Sequence, residues 1–170
     1  MNTKSGRNGA PPPANGDAFR LEDYLPYRLA VAANRVSRLC ARRYSETYGL
    51  SIPEWRVLAV VGRFGTLSPS AVGEWTTMDK VKVSRAAASL VARGLVKQTH
   101  DPDDGRGRLL RLTRKGLAVR QGLVPVAHEL EEQLAEGLSR TEWGGLLKAL
   151  DKLTAHIKDV DEVDHEAAVD

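Results

Sequence analysis

The stretch Met78-Asp79-Lys80-Val81-Lys82-Val83-Ser84-Arg85-Ala86-Ala87-Ala88-Ser89-Leu90 decides the fold. At about 100° per residue, Val83, Ala87, Leu90 and Val91 fall on one apolar face. Asp79 can cap such a helix and Gly94 can end it in a left-handed conformation, which predicts a helix from Lys80 to Arg93. The opposite face carries Lys82, Arg85, Ser89 and Ala92. Small and cationic side chains enter a major groove without steric conflict. Lys and Arg can meet phosphates or guanine edges there, and Ser can contact either. A solvated helix face has the same composition, so the neighbouring segments must decide between the two readings.

Upstream, Ser68-Pro69 is a cap followed by proline at the first helical position. It opens a short helix carrying Val72 and Trp75 and ending near Thr77. Two helices joined by so few residues predict a helix-turn-helix. Further upstream, Ser51-Ile52-Pro53-Glu54 is a capping box that opens a helix through Trp55, Leu58 and Val61, closing near Gly65. A first helix is expected from about Asp23 to Thr47, with Leu25, Leu29, Ala32, Val36, Leu39 and Cys40 along one stripe and Pro26 in its first turn.

Downstream, Val96 to His100 and Arg108 to Leu112 flank the turn-forming Asp101-Pro102-Asp103-Asp104-Gly105-Arg106-Gly107, which predicts a β-hairpin. Thr66-Leu67 can add a short strand to it. Arg106 in the turn, with Arg108 just after it, would gain from the negative potential of a narrow minor groove. Asp104 can hold the Arg106 guanidinium by a charge-assisted hydrogen bond. Thr113 caps a long helix that runs to about Leu138, interrupted by Pro125. Ser139-Arg140-Thr141-Glu142 is a second capping box, opening a helix with Leu146, Leu147, Leu150, Leu153 and Ile157 on one face. The outer helices carry more apolar stripe than one small lobe can cover, so a second copy of the chain is the expected partner.

The fold class is therefore mainly α with a small β-wing: a winged helix-turn-helix DNA-binding lobe and a helical dimerisation region. The expected organisation is an N-terminal arm over 1–19, dimerisation helices over 20–48 and 113–158, the winged lobe over 49–112, and an acidic tail over 159–170. The arm contains Pro11-Pro12-Pro13 with Gly, Asn and Ala, a composition that does not bury enough apolar area to order itself.

Charge agrees with this division. Over Asp79–Arg120, Lys and Arg outnumber Asp and Glu by 11 to 4, whereas Asp159–Asp170 holds six acidic residues and no Lys or Arg. A basic centre calls for a polyanion, here double-stranded DNA. One cysteine, no secretory signal and no run of eighteen apolar residues place the expected site of action in the cytoplasm, away from any membrane. The sequence contains no phosphate-binding glycine loop, nucleophile elbow or Cys-His signature, so the chain is expected not to be an enzyme and to need no cofactor.

At this level of detail the chain resembles the MarR family of bacterial regulators. The resemblance rests on Leu50-Ser51-Ile52-Pro53-Glu54-Trp55-Arg56-Val57-Leu58, Asp79-Lys80-Val81-Lys82-Val83-Ser84-Arg85, Arg93-Gly94-Leu95-Val96, Asp101-Pro102-Asp103-Asp104-Gly105-Arg106 and Leu110-Arg111-Leu112-Thr113-Arg114-Lys115-Gly116, in order across residues 21–158. It implies a dimer held by the first, fifth and sixth helices, with two winged lobes on a pseudo-palindromic operator. The helix Lys80–Arg93 would read the major groove and the Asp104–Gly107 wing would reach the minor groove. Many members carry a second basic residue where this chain has Gly105, which leaves that role to Arg106. Ser68, Ser70, Lys80, Lys82, Ser84, Arg85, Ser89, Asp104, Arg106 and Arg108 are the expected DNA-binding residues.

The resemblance also implies release from DNA by a small ligand, often an aromatic acid, or by oxidation of a cysteine near the start of the first helix. The position of that cysteine holds Pro26. Cys40 lies on the apolar stripe, where a thiol serves packing. In the resembled fold the effector cleft lies between the dimer helices and the winged lobe. Arg28 and Arg35, two turns apart, would face Trp55 and Arg56 there. Guanidinium and indole suit an aromatic acid or its coenzyme A thioester. For Trp55 a core position is the stronger reading, and salt bridges are an equal alternative for the two arginines. The chain is thus expected to be a homodimeric repressor. An architectural DNA-binding protein without an effector, or a metal-dependent nuclease using Asp101, Asp103 and Asp104, are the other classes. His128, His156 and Cys40 lack the tight spacing of a metal site.

Overall fold

The computed structural model describes residues 19–102 and 107–167, side chains of 161–167 excepted. The arm expected over 1–19 lies outside it except for Phe19, as do Asp103, Asp104, Gly105 and Arg106 of the wing loop. Contacts group the chain into two units, Met1–Leu39 and Cys40–Asp170.

The elements follow one another as α1 (Leu25–Tyr48), α2 (Ile52–Phe64), β1 (Thr66–Leu67), α3 (Pro69–Thr76), α4 (Lys80–Ala92), β2 (Val96–His100), β3 (Arg108–Leu112), α5 (Arg114–Ala135) and α6 (Arg140–Ala167). A 3₁₀ turn at Leu21–Asp23 precedes α1, and Tyr24 between them is extended. The first helix therefore begins two residues later than the expected Asp23. The Arg28 amide donates to the Tyr24 carbonyl, which sets the first turn, and Pro26 falls inside that turn where its missing N–H costs nothing.

Caps set the other boundaries. The Ser51 hydroxyl accepts from the Glu54 amide, and the Glu54 carboxylate accepts from the Ser51 amide, so the capping box that opens α2 is complete. Ser68, Asp79 and Thr113 accept from backbone amides three residues on, at the starts of α3, α4 and α5. The Ser139–Glu142 pair repeats the box at α6. Helix α5 passes through Pro125 and ends at Ala135, three residues short of the expected Leu138, where the chain turns into Gly137. Helix α6 continues to Ala167, into the acidic segment.

The sheet is antiparallel in the order β1-β3-β2, with Thr66 opposite Arg111 and Lys97 opposite the same residue on the other side. Its inner face, α2, α3 and α4 enclose a core of Val57, Leu58, Val61, Val72, Val83, Leu90, Leu95, Val96 and Leu110. The buried face of α4 is Val83, Ala86, Ala87 and Leu90, a strict i, i+3, i+4, i+7 set. Val91, expected in that face, is instead 37% exposed, and Ala86 takes its place because the helix is rotated by part of a residue. On α3, Val72 is buried, whereas Trp75 is 56% exposed. It stacks on Phe64 with ring centroids 4.6 Å apart, and the Arg63 guanidinium lies 5.0 Å and 5.7 Å from the two rings.

The end of α4 is fastened to the start of α5. Gly94, at φ +67, turns the chain from α4 into β2. The Thr113 hydroxyl donates to the Gly94 carbonyl, its amide donates to the Leu95 carbonyl, and Lys115 Nζ donates to the Arg93 carbonyl. Gly116 lies directly against the Leu95 carbonyl, with no room for a Cβ.

Candidate nucleic-acid interface

The turn between α3 and α4 passes through Thr77, the one described non-glycine residue at positive φ (53°). A β-branched residue there stores about 1–2 kcal/mol of strain. Asp79 follows and caps α4. The Lys82 amide donates to its carboxylate at 2.8 Å and Lys82 Nζ pairs with it at 2.9 Å. These bonds, the backbone one first, hold the Asp79 carboxyl below the usual aspartate value. Lys80, Lys82, Ser84 and Arg85 are exposed along the outer side of α4. Lys80 and Arg85 have no hydrogen-bond or ion-pair partner among the described residues.

Of the other expected DNA contacts, Ser68 is the N-cap of α3, accepting from the Ala71 amide at 3.2 Å, and Ser70 is exposed one residue inside that helix. Pro69, Ser70, Gly73, Glu74, Met78, Lys80 and Val83 line a crevice of about 380 Å³ between α3 and α4. Arg108 is exposed at the first position of β3, beside the loop. Asp104 and Arg106 lie outside the described residues.

Ser89 has an engagement that the sequence did not suggest. Its hydroxyl donates to Glu54 Oε1 at 2.6 Å. Glu54 Oε2 accepts from the Ser51 amide and hydroxyl, each at 2.7 Å, and Arg93 Nη1 stands 3.6 Å from Oε1. Burial pushes this carboxyl upward, but the hydrogen bonds from Ser89 and Ser51, with the Arg93 charge, outweigh it and hold the group below the usual glutamate value. Arg93 also donates to the carbonyls of Tyr48 (2.8 Å) and Gly49 (2.9 Å) between α1 and α2. The capping box announced Glu54, but one carboxylate oxygen satisfies a cap. The bonding of the other is a tertiary fact.

The expected ligand residues are distributed over both units. Arg28 and Arg35 are exposed on α1 in the Met1–Leu39 unit. Trp55 is half-buried in the other unit, with its ring centroid 5.5 Å from that of Tyr44. Arg56 is exposed and donates to the Thr76 carbonyl at 3.4 Å. Trp55 and Arg56 therefore both have structural partners. Cys40 is half-buried beside Tyr44. Burial, with the neighbouring thiol, pushes the Tyr44 phenol up to about 12. Among the described residues no group of three His, Cys, Asp or Glu converges on a metal position, and no helix is long and apolar enough to cross a membrane.

The profile of the MarR family matches residues 48–107, from the end of α1 into the wing. The chain is 28% identical over 126 residues to the HTH-type transcriptional repressor IacR of Pseudomonas putida, covering 74% of this chain and 75% of that one. Among solved structures, a probable transcriptional regulator from Pseudomonas aeruginosa superposes with a TM-score of 0.71 at 29% identity, over 79% of this chain and 99% of the other. BpsR of Bordetella bronchiseptica, whose structure is described as a mechanism for regulation of DNA binding by 6-hydroxynicotinic acid, superposes with a TM-score of 0.75 at 25% identity, over 81% and 98%.

Proposed function

We propose that this chain, which belongs to the MarR family of winged helix-turn-helix transcriptional regulators, acts as a homodimeric repressor that reads a pseudo-palindromic operator with α4 and leaves it on binding a small anionic aromatic ligand. The observation that carries the DNA reading is the outer side of α4. There the second helix of a helix-turn-helix presents Lys80, Lys82, Ser84 and Arg85 together, with Arg85 unpaired among the described residues. Ser68 and Ser70 at the start of α3 add hydroxyls for phosphate, and Arg108, exposed at the first position of β3, adds a cation for the minor groove, the role that the sequence also assigns to Asp104 and Arg106. The place of action is the cytoplasm.

Two α4 helices of a two-fold dimer enter successive major grooves, so footprinting on the chain's own upstream DNA should protect an inverted repeat with half-sites about 10 base pairs apart. Arg85→Ala should relax discrimination at one base position by about 1–3 kcal/mol. Lys82→Ala should weaken all sequences alike and lower the salt dependence. Unchanged operator affinity in both variants at fixed salt defeats the assignment of α4.

The ligand reading is supported by BpsR, whose DNA binding is regulated by 6-hydroxynicotinic acid, and by the exposed Arg28 and Arg35 on one side of α1. Since Trp55 and Arg56 already have partners, the two α1 arginines are the stronger anchors for a carboxylate. A panel of aromatic acids and their coenzyme A thioesters, titrated against an operator complex, should contain a compound that releases DNA and whose effect weakens in Arg28→Ala and Arg35→Ala. Linkage then requires DNA to weaken that compound's binding by the same factor. Release equally strong with both variants would remove these arginines from the site.

A further inference from the structure

We infer that Glu54 is a positioning residue for the DNA-reading helix: its carboxylate, held on α2, fixes the seating of α4 through Ser89 and Arg93, and operator discrimination depends on it without any contact to DNA. The inference rests on the reading of α4 proposed above.

Glu54 is the one buried charged residue among the described residues, with 10% of its side chain exposed. An ionised group so placed is costly to leave unpaired, and both its oxygens are in use. Oε2 is taken by Ser51 on its own helix, which fixes the side chain's direction. Oε1 faces another helix, where Ser89 lies 2.6 Å away and Arg93 3.6 Å away.

Arg85, Ser89 and Arg93 stand at i, i+4 and i+8, one above another on the same side of α4. The two lower residues of that column are tied to α2 and to the Tyr48 and Gly49 carbonyls. The upper residue is free to meet DNA. The anchors therefore set the height and rotation at which Arg85 is presented. Arg85, Lys82, Ser89 and Glu54 border a common shallow groove of about 280 Å³. A carboxylate at its floor repels a phosphate, so the DNA backbone must stay at the rim beside the two cations. A bidentate contact between Arg and a base edge tolerates little rotation, whereas a screened phosphate contact tolerates much. Loosening the anchors should therefore cost sequence discrimination more than overall DNA affinity.

The experiment compares Ser89→Ala, Glu54→Met and the double variant with the parent, as full-length proteins. Affinities are measured for the footprinted operator and for a scrambled duplex across a salt series. Ser89→Ala places a good helix former in a helix, so it should fold. The ratio of operator to scrambled affinity should fall about tenfold in Ser89→Ala. The salt slope should stay unchanged, and the double variant should be no worse than the worse single one. Without DNA, amide hydrogen exchange in the last two turns of α4 should quicken in Ser89→Ala. This readout does not depend on whether Glu54→Met can be purified. Arg85→Ala serves as the control. If Arg85→Ala and Lys82→Ala both leave operator affinity unchanged, the reading of α4 has failed and this inference with it. If Arg85→Ala loses discrimination while Ser89→Ala keeps both its ratio and its exchange rates, the positioning role is overturned. A loss in Ser89→Ala with unaltered exchange also overturns it, because Ser89 then touches DNA directly.

Discussion

Gly116→Ala should lower the stability of the winged lobe by about 3 kcal/mol or more, the upper end of what overpacking costs. A methyl group at this position would occupy the space of the Leu95 carbonyl oxygen, with the Leu95 carbonyl carbon and Cα just behind it. Neither side can yield cheaply. Leu95 is buried, and its carbonyl accepts from the Thr113 amide. Thr113 is also the cap that starts α5, with its hydroxyl accepting from the Gly116 amide. Relief therefore requires α5 to lift off the end of α4 and give up several hydrogen bonds at once. Thermal or urea unfolding at fixed protein concentration checks this, with Gly137→Ala as the comparison, because nothing lies within 4 Å of a Cβ there. A Gly116→Ala protein within about 1 kcal/mol of the parent would mean that the two backbones are not in contact.

The paired substitution Leu150→Glu with Leu153→Glu should turn the proposed dimer into monomer at micromolar concentration. On α6, Leu146, Leu147, Leu150 and Ile157 are each 40 to 49% exposed, and Leu153 beside them is half-exposed. A helix of 28 residues with such a face needs a partner surface, and a second copy supplies one under two-fold symmetry. Each carboxylate buried there without a partner costs several kcal/mol, and at about 1.4 kcal/mol per factor of ten two of them outweigh an ordinary dimer affinity. Sedimentation of parent and variant decides the matter, with circular dichroism to show that the winged lobe is still folded. A parent chain that sediments as a stable folded monomer would falsify the dimer and, with it, the two-fold operator.

Most of the fold could be read in the sequence because its boundaries are chemical. Ser51, Ser68, Asp79, Thr113 and Ser139 each cap the helix expected of them, and the three strands occupy the expected residues. These are local interactions, settled within four residues. The misses are long-range. Whether Val91 or Ala86 faces inward depends on how α4 is rotated against α2. The exposure of Trp75 is likewise set by tertiary contacts, with Phe64 and Arg63 against its ring. Ser89 looks like a free hydroxyl on an exposed face until Glu54, thirty-five residues away, is placed beside it. The cationic side of α4 was legible, since spacing alone puts Lys82 and Arg85 opposite Val83 and Leu90. What holds that side in place was not.

The joint between α4 and α5 turns the long helix into a lever. Its 22 residues span about 33 Å at the ordinary helical rise. With Arg93, Gly94 and Leu95 all bonded to its first turn, α4 cannot stay behind when α5 tilts. A tilt of about 5° about the far end of α5 moves that first turn by about 3 Å, close to the ~3.4 Å step between neighbouring base pairs. A regulator built this way needs no rearrangement inside its reading head to lose its place on DNA. A few degrees at the far end put the head out of step with the bases by one rung.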